Sequence, residues 1–463
     1  MPSPRFSELS AAERAATLSD PGTLRVLSAD GASSIVTAAA RLDGRPILLA
    51  LTDGRQRGGT IGLAEARQLG ELLARAEQRR SALVIAWDTG GVRVQEGPAA
   101  LGGASALGVR LARLALGGTR VVTLVSGPRG CFGAPSVIAA TGHATLLVRD
   151  AAWGLTGPRL LEDGEAHADE ARAVMTAAAR CHAGHADALV DDAPPAIRAG
   201  LIGALGRRLS RVSAARALAR GVAITAALRA QLDPPEPAGE PASQRRRDFF
   251  SYSFRGAWKT LAPSLRMGLV HAAWGELRGV RTLGIILGPE RSPHGLGVAD
   301  AHAVLRAVHE AVTTAPRAPI VTFLFCRGHA SDLRQERAGL PRALAECLRG
   351  LVAARLAGHP LISVLGGGAD GAADRAIAAP SQRVLARRGT AVAPMAPRVL
   401  AAFTALREIR ATAASSDDLA ALVPNVRLVD SVVRLPRALA DELRAAQALA
   451  EPVSARLALP ADS

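Results

Sequence analysis

The sequence has few aromatic residues and few cysteines. Phe, Trp and Tyr make up 3% of its 463 residues, and tyrosine occurs once. Its four cysteines, Cys131, Cys181, Cys326 and Cys347, contain no CxxC pair. That pattern argues against a zinc ribbon and against a disulfide framework. We therefore expect a reducing, cytoplasmic setting and no bound metal ion.

Lysine is almost absent, because Lys259 is the only one and arginine supplies nearly all of the formal net charge of +15. The arginines are scattered, and Arg245–Arg247 is their only run of three. Charge spread in this way, with few aromatic rings for base stacking, argues against a nucleic-acid partner. An acidic partner protein or an anionic ligand similar to coenzyme A is the better expectation.

No apolar run in the sequence reaches the length of a membrane helix, and the first residues do not resemble a signal peptide. We therefore expect no membrane association. At this length, with 49% hydrophobic residues, the chain should form two or three domains. Proline and charge without periodicity mark Gln231–Arg247 as a linker. We predict a first domain at 1–230, a linker at 231–247 and a second domain at 248–463.

Two glycine-rich loops follow predicted buried strands in the first domain. Leu83–Trp87 and Val121–Val125 are short apolar runs, as buried strands are. Glycines follow each run, in Thr89–Gly91 and in Gly130–Gly133. Glycines before a helix let backbone N–H groups approach a ligand, and the start of the helix adds partial positive charge. The pattern predicts a site for a phosphate or for an oxyanion, with small-residue packing in a tight turn as the alternative.

The second half of the sequence repeats the first. Ile320–Phe325 and Leu361–Leu365 are predicted strands, and a glycine-rich loop follows the second of them. Gly130 and Gly133 map onto Gly368 and Gly371 at a single offset of 238 residues. A strand–helix–strand–glycine loop–helix unit that occurs twice predicts a duplicated α/β fold with parallel strand pairs.

The motifs of the first domain resemble the beta subunit of biotin-independent malonate decarboxylase. The stretches that carry this resemblance are Phe6–Leu9, Gly58–Gly62, Thr89–Glu96, Gly130–Gly133, Gly154–Pro158 and Leu189–Asp192. The second domain resembles the gamma subunit of the same enzyme through Ser253–Gly256, Trp258 and Ala353–Pro360. The chain as a whole therefore resembles a beta–gamma fusion.

This resemblance implies an α/β fold of two crotonase-like (ClpP/crotonase) domains in tandem, each a spiral of ββα units. It implies an enzyme that converts a malonyl thioester to an acetyl thioester and carbon dioxide. The substrate would be held on an acyl carrier protein subunit that bears a CoA-derived prosthetic group, with an acyl-carrier transferase subunit as a further partner. No cofactor is expected on this chain itself, and a homo-oligomer is possible.

Backbone amides are the expected catalytic groups, because an enolate oxygen can be held by N–H donors without a side-chain base. The residues that we expect to act in catalysis are Gly59, Gly130, Cys131, Phe132 and Gly133. Those that we expect to contact substrate are Gly58, Thr89, Gly90, Gly91, Arg93, Gly157, Gly368 and Gly371. Cys131 is expected to be a small residue in a turn rather than a nucleophile. For Arg93, an internal ion pair with Glu96 is the alternative.

The second domain departs from the gamma-subunit pattern. Cys326–Ser331 stands where that family usually carries a DxPxQ-like segment, and Gly367–Ala373 lacks the usual bulky apolar residues. We therefore expect the first domain to carry the chemistry. His329 is expected to be a solvated loop histidine, with a replacement acid as the alternative. Asp370 is expected to have a capping or structural role.

Two other functions stay open at this point. The chain could pass the carboxyl group to biotin on a separate carrier, since Lys259 lacks the flanking methionines of a biotin attachment site. It could also be a non-catalytic scaffold that docks a carrier protein, which the altered second domain favours. Release of carbon dioxide from a malonyl carrier, measured with and without avidin, separates these functions.

Overall fold

The chain divides into two units that are described separately. The first comprises Met1–Glu96, Gly103–Arg211 and Ala458–Ser463, and the second comprises Gly97–Gly102 and Val212–Leu457. The structure, a computed structural model, describes residues 4–29, 33–161, 168–233, 254, 257–288, 295–325, 328–366, 369–393, 395, 399–401, 404, 415–449 and 456–460. Most of the linker predicted at 231–247 lies outside these residues.

The first unit is built on one seven-stranded sheet in the order β1-β2-β3-β4-β5-β6-β7. Its strands are β1 (Arg25–Ser28), β2 (Ile35–Leu42), β3 (Arg45–Thr52), β4 (Ala82–Trp87), β5 (Val121–Val125), β6 (Ala144–Val148) and β7 (Ala188–Val190). β1, β2 and β3 pair antiparallel, and β3 through β7 pair parallel. The β2–β3 hairpin turns at Asp43 and Gly44, whose φ values of 53° and 71° match a two-residue turn.

Helices connect these strands and cover the sheet. They are α1 (Ala11–Leu18), α2 (Leu63–Arg79), α3 (Gly97–Gly117), α4 (Ala134–Ala139), α5 (Ala168–Met175), α6 (Ala177–His182) and α7 (Pro194–Gly206). The helix predicted from Leu101, Leu107, Leu111 and Leu114 is α3, and all four leucines are buried. Within the described residues, α3 is the one helix that is long and apolar enough to cross a membrane, contrary to expectation. Since 56% of its Ala99–Gly117 window is buried inside the protein, its packing is that of a core helix.

The alanine-rich stretch 161–189 predicts a single helix, and that prediction is wrong. Thr176 has extended backbone angles (φ −63°, ψ 148°), and its hydroxyl accepts the N–H of Ala179. It therefore ends α5 and caps α6. Leu189 lies in β7 rather than in a helix, so local propensity gave way to the parallel pairing of β7 with β6.

The second unit repeats this architecture. Its sheet has the order β9-β10-β11-β12-β13-β15-β17, with antiparallel pairs up to β11 and parallel pairs beyond it. The strands are β9 (Trp258–Met267), β10 (Val270–Leu277), β11 (Val280–Leu287), β12 (Ile320–Leu324), β13 (Leu361–Leu365), β15 (Arg383–Arg387) and β17 (Val426–Val429). In both sheets, two antiparallel pairings are followed by four parallel ones. The predicted α/β class, with two similar domains in tandem, is confirmed. Their assignment as crotonase-like domains stays a prediction.

Short strands lie outside the two large sheets. β14 (Ala369–Asp370) pairs with β16 (Val392–Ala393), and β8 (Leu209–Val212) pairs with β18 (Leu457–Pro460). The helices from residue 212 onward are α8 (Ala214–Arg229), α9 (Val298–Thr314), α10 (Leu333–Arg337), α11 (Leu340–Leu356), α12 (Gly371–Ala378), α13 (Ser416–Leu422) and α14 (Leu435–Leu449). The sequence predicts a helix at Leu340–Leu356, and α11 has the same bounds.

Helix α8 groups with the second unit, although the first domain was predicted to extend to residue 230. It packs against α9 and α11, and a Cβ on Gly350 would lie only 2.2 Å from Leu305 and 2.9 Å from Leu218. The Thr225 hydroxyl lies 3.0 Å from Nδ1 of His302. Burial, with Arg229 and Arg306 nearby, lowers the pKa of His302 to about 4. These contacts place residues 214–229 with the second unit.

The core of the second unit contains a cluster of aromatic rings. Phe323, on β12, is fully buried. Its ring meets that of Phe254 edge-on at 5.2 Å and that of Trp258 edge-on at 6.3 Å between centroids. Such T-shaped pairs add to the stabilisation that burial alone provides.

Phe323→Ala tests this core. We expect it to lower the free energy of unfolding by about 3–5 kcal/mol, because it leaves a cavity and removes both ring contacts. Val433→Ala is the matched control: Val433 is 76% exposed, so its loss should change stability by no more than about 0.5 kcal/mol. Urea denaturation followed by tryptophan fluorescence and far-UV circular dichroism gives both values. Equal, small effects for the two variants would contradict this account of the core.

Candidate active site

Three loops of the first unit meet at the carboxyl ends of β3, β4 and β5, where ligands bind in open parallel sheets. The Thr89 N–H donates to the Gly130 carbonyl at 2.8 Å, and the Gly90 N–H donates to the Gly58 carbonyl at 2.9 Å. Parallel bridges also join Thr89 to Cys131, and Cys131 to Trp153. The structure thus brings together the loops that the sequence predicted to form one site.

Glycine is required at different positions in these loops for different structural reasons. Gly59 and Gly130 have φ values of 65° and 66°, and a Cβ on either would lie 1.9–2.2 Å from a backbone carbonyl oxygen. Packing alone requires glycine at both positions. Gly133 also has a positive φ of 63°, but a Cβ there would meet nothing closer than Gly91 Cα at 3.5 Å. A Cβ at Gly133 would therefore be in ordinary van der Waals contact with its surroundings, and the Val92 amide nitrogen would lie 4.0 Å from it.

The amides predicted to hold an oxyanion are already hydrogen-bonded. The donor–acceptor pairs are Gly59 N to Gln56 O at 2.8 Å, Cys131 N to Ala152 O at 2.9 Å, Phe132 N to Thr89 O at 3.2 Å and Gly133 N to Leu155 O at 3.0 Å. These bonds hold the loops in shape, and a ligand at any of these amides would have to displace a carbonyl. The catalytic role of these residues stays a prediction, but direct donation is not what their amides do in this structure.

Two neighbouring amides are better placed. Within the part of the chain that the structure describes, the N–H groups of Val92 and Ala134 have no hydrogen-bond acceptor. Ala134 is the first residue of α4, where an N–H has no partner inside the helix. Both residues are half-buried, and both lie beside Gly133. Sequence reasoning missed them because neither is a glycine.

The solvent-facing edge of the site combines the phenyl ring of Phe132 with positively charged side chains. Phe132 and Gly157 are half-buried, and Gly90 is exposed. Exposed arginines stand in three of the surrounding segments: Arg57, Arg129 and Arg159. The setting is therefore open to solvent at its edge and suits an anionic ligand.

Cys131 is not an activated nucleophile. Its side chain is fully buried, and burial, with the nearby Asp88 carboxylate, raises the pKa of its thiol well above the usual range. A nucleophilic cysteine needs the opposite shift. Its contribution is to pack under the loop, as the sequence indicated.

Arg93 belongs to the framework of the loop. Its guanidinium donates to Glu96 at 2.6 Å, to Glu65 at 2.9 Å and to the Thr60 carbonyl at 2.9 Å. Burial alone would raise the pKa of Glu65, but the hydrogen bond from Arg93 and those from backbone amides lower it. The predicted pair with Glu96 is therefore present, and the guanidinium is occupied by protein groups rather than directed at a substrate.

The second unit reproduces this framework with one carboxylate and one neutral amide. In the first unit Glu65 accepts the Gly62 N–H, and Glu96 accepts the Leu63 N–H at the start of α2. In the second unit Asp300 accepts the Gly297 N–H, and Gln335 accepts the Val298 N–H at the start of α9. Ala330 stands where Arg93 stands, since each donates its N–H to the bridging residue of the preceding loop. The duplicated capping scheme has thus lost its arginine in the second unit.

His329 is buried, so the prediction of a solvated loop histidine is wrong. It pairs with Leu296 in a parallel bridge, as Val92 pairs with Ile61, and it is 7% exposed. Its Nδ1 lies 3.2 Å from the position that a Cβ on Gly371 would take. Burial lowers the pKa of His329 to about 4. An imidazole therefore lies against Gly371, whereas the atom nearest to a Cβ on Gly133 would be the Gly91 Cα at 3.5 Å.

Of the other residues predicted to matter in and near the second glycine loop, only some belong to the described part of the chain. Gly368 and Cys326 lie outside the described residues. The backbone of Asp370 belongs to β14 and pairs with Ala393. Among the residues that the structure describes, no group of three or more His, Cys, Asp or Glu side chains is arranged to hold a metal ion.

A buried ion pair beside the site was missed by sequence reasoning. Arg14 and Asp88 are each 1% exposed, and Nη2 of Arg14 lies 3.3 Å from Oδ2 of Asp88. Burial raises the pKa of Asp88, although Arg14 and the N–H groups of Arg129 and Gly54 act in the opposite direction. The available signal was Arg14 itself, a charged residue on the buried face of α1, which requires a partner.

Two family models match the sequence. One, described as a carboxyl transferase domain, matches residues 12–189. The other, described as the malonate decarboxylase gamma subunit, matches residues 292–462. The first match includes the loops at the carboxyl ends of β3, β4 and β5, and the second includes His329 and Gly371.

Individual relatives resemble parts of the chain. The carboxyl transferase subunit beta of acetyl-coenzyme A carboxylase from Desulfitobacterium hafniense is 28% identical over 133 residues, which cover 29% of this chain and 43% of that protein. The malonyl-S-ACP:biotin-protein carboxyltransferase MADC of Malonomonas rubra is 27% identical over 143 residues, which cover 28% and 45%. The chain therefore spans less than half the length of these curated relatives.

Among solved structures, the Pseudomonas malonate decarboxylase MdcD–MdcE heterodimer is similar. The identity is 29%, and the match covers 43% of this chain and 86% of that chain, with a TM-score of 0.38.

Thiol labelling tests the environment of Cys131. In the folded protein at pH 8 we expect iodoacetamide to leave Cys131 unmodified, because its thiol is buried and its pKa is raised. Cys181 is the internal control: it is half-buried, with a pKa raised to about 11, so it should react slowly but measurably. Peptide mass spectrometry after timed labelling gives both rates, and labelling in urea should equalise them. Faster modification of Cys131 than of Cys181 in the folded protein would show an activated thiol.

Proposed function

We propose that this chain decarboxylates a malonyl thioester to an acetyl thioester and carbon dioxide. Its residues 12–189 match the carboxyl transferase family model, and its residues 292–462 match the malonate decarboxylase gamma-subunit model. The bond between the α-carbon and the carboxylate breaks, and carbon dioxide leaves. The bonding electrons pass into an enolate whose charge lies on the thioester oxygen. A proton from solvent then completes the acetyl group.

The amides of Val92 and Ala134 beside Gly133, which have no hydrogen-bond acceptor among the described residues, are the observation that carries this proposal. The enolate oxygen would lie against these two amides. Two preorganised backbone donors aimed at a developing oxyanion form the largest single contribution to many such reactions. No general base is needed, because decarboxylation removes carbon dioxide rather than a proton. That agrees with a site whose thiol is protonated and whose arginine is occupied by carboxylates.

Apolar groups near Gly133 favour the loss of charge from the carboxylate. Phe132 is half-buried beside Gly133, and Leu155, whose carbonyl accepts the Gly133 N–H, is buried. A carboxylate held against such surfaces loses hydration, whereas neutral carbon dioxide does not need it. How much this desolvation adds is debated for enzymes in general, so we assign the main role to the amides.

The thioester would be carried by an acyl carrier protein with a CoA-derived prosthetic group, and loaded by an acyl-carrier transferase subunit. Support comes from the exposed arginines Arg57, Arg129 and Arg159 in the loops around the site. A phosphate-bearing arm on an acidic carrier would be attracted to them. The name of the Malonomonas rubra relative also specifies malonyl-S-ACP. Because the attraction is between exposed charges, carrier binding should weaken with salt.

The same relative supports a second candidate function, since its name specifies a biotin protein as the carboxyl acceptor. In that reaction the carboxyl group would pass to biotin on another chain, and the enolate would form in the same way. The two functions differ only in where the carboxyl group goes. Release of carbon dioxide that avidin does not inhibit favours direct decarboxylation, whereas complete dependence on an added biotin protein favours transfer.

Gly133→Val tests the space beside Gly133. Its γ-carbons would cover the Val92 amide, and its backbone would have to keep a φ of 63°. We expect a fall in kcat of about two to three orders of magnitude, the loss typical of one removed oxyanion donor. The matched control is Gly184→Val, at another positive φ (74°) with nothing within 4 Å. Carbon dioxide release from malonyl carrier is measured for both. Wild-type turnover in folded Gly133→Val would remove this space from the mechanism.

Comparison of Gly133→Ala with Gly371→Ala tests the asymmetry between the halves. Both glycines have positive φ, 63° and 75°, so the backbone strain is similar. We expect Gly133→Ala to lower kcat at any carrier concentration, and Gly371→Ala to keep kcat at saturating carrier while raising KM. The KM effect should grow at higher salt if the carrier docks by charge. Equal losses of kcat would show that both loops hold an oxyanion.

A further inference from the structure

The ion pair between Arg14 and Asp88 connects several segments around the site. Arg14 donates to both the Asp88 carboxylate and two backbone carbonyls, those of Phe6 and Ser7, and it lies 5.5 Å over the Phe6 ring. It therefore joins α1 to the chain before it. Its side chain has no room for other partners, because only 1% of it is exposed.

Asp88 joins the loops at the carboxyl ends of three strands. Its carboxylate accepts the Gly54 N–H at 3.2 Å after β3 and the Arg129 N–H at 2.9 Å after β5. Its own N–H donates to the Thr52 hydroxyl at 2.6 Å. Gly54 and Gly127 pack so closely on it that a Cβ at either position would come within 2.4–2.7 Å of the carboxylate.

The next residue continues this connection to the site. The Thr89 N–H donates to Gly130, and the Thr89 carbonyl accepts the Phe132 N–H. The segment that leads to Gly133 and Ala134 is therefore held at Gly130 and Phe132 as well as at Arg129. A change in the length or direction of the Asp88 contacts would move the Ala134 amide with the loop.

Stability alone does not account for such a pair. Removing two charges from water costs free energy that their attraction often fails to recover, so apolar replacements of whole buried pairs are frequently neutral or stabilising. The two glycine-dependent close approaches, at Gly54 and Gly127, would also be unnecessary if an apolar residue filled the position of Asp88. What a carboxylate provides, and an apolar side chain does not, is fixed acceptors for N–H groups from two separate loops.

We propose that Arg14 and Asp88 are positioning residues of the proposed decarboxylation: Asp88 holds the 127–133 loop so that the Ala134 amide faces the substrate oxygen, and Arg14 fixes the carboxylate. The inference rests on the proposed function. Neither side chain touches the reacting atoms, so their effect is on kcat through the geometry of the amides. The position equivalent to Asp88 in the second half is Cys326, which carries no carboxylate.

The test uses the full chain and removes both charges together. The double variant Arg14→Met/Asp88→Asn leaves no unpaired buried charge, so its Tm should return toward the wild-type value, whereas each single variant should have a clearly lower Tm. With malonyl carrier as substrate we expect kcat of the double variant to fall about 100-fold, in line with loss of one oxyanion donor, and KM to stay within about threefold. Recovered Tm together with wild-type kcat would overturn the proposal and leave the pair a purely structural role.

The matched control is the ion pair of Arg198 and Asp20, at 2.8 Å in the same unit but away from the loops. Arg198→Met/Asp20→Asn should leave kcat unchanged. If the Arg14/Asp88 double variant does not fold, Arg14→Lys replaces it, because it keeps the charge but cannot reach the carboxylate and both carbonyls together. A folded Arg14→Lys variant should have lower kcat, and one with wild-type kcat would overturn the proposal.

Hydrogen–deuterium exchange separates this inference from the proposed function. Exchange in the peptide covering residues 127–134 should accelerate in the double variant and stay unchanged in the control variant. If wild-type protein releases no carbon dioxide, the proposed function fails, yet this exchange result still tests whether the pair holds the loop. Unchanged exchange in 127–134 overturns the positioning role whatever the activity.

Discussion

The buried carboxylate of Asp88 is the point on which the arrangement of the first unit's loops depends. A carboxylate with no solvent must be paired and hydrogen-bonded, and here its partners come from α1 and from the turns after β3 and β5. The sheet places the strand ends side by side, and the carboxylate fixes the loops that leave them. The tight glycine contacts follow from this constraint, since the chain has to approach a small, charged group from several directions.

The two units share one architecture, but the residues at corresponding positions of their loops differ. The sheets share one strand order, and both units cap the helix after the third strand with a carboxylate and a second acceptor. In the first unit Arg93 pairs with both acceptors, and the Val92 N–H has no acceptor among the described residues. In the second unit Ala330 replaces the arginine and the neutral imidazole of His329 lies against Gly371. Chemistry in the first half and a supporting role in the second is the interpretation that fits these differences.

Sequence reasoning found the features that short patterns encode. β4, β5 and α11 are compact apolar segments, and the glycine loops that follow the strands are the local signal for a site. It missed β9, β10 and β11. In β9, the outer strand, Lys259, Pro263 and Arg266 interrupt the apolar pattern, so only pairing with a neighbour defines the strand. It also missed Arg14 with Asp88, which are 74 residues apart along the chain. The assignment of amides failed for a related reason, since a sequence names the glycines but not the carbonyls that already occupy their N–H groups.

The central claim is that the amides beside Gly133 stabilise an enolate formed by loss of carbon dioxide. Trapping that enolate is the most direct test: malonyl carrier is incubated with the protein in deuterated water, and the methyl group of the product is analysed by mass spectrometry. The account predicts an acetyl carrier with one solvent-derived deuterium, formed by the wild-type chain without any biotin protein and formed at a strongly reduced rate by Gly133→Val. A carrier that remains malonylated in the absence of a biotin protein, or a product formed equally fast by the variant, would contradict it.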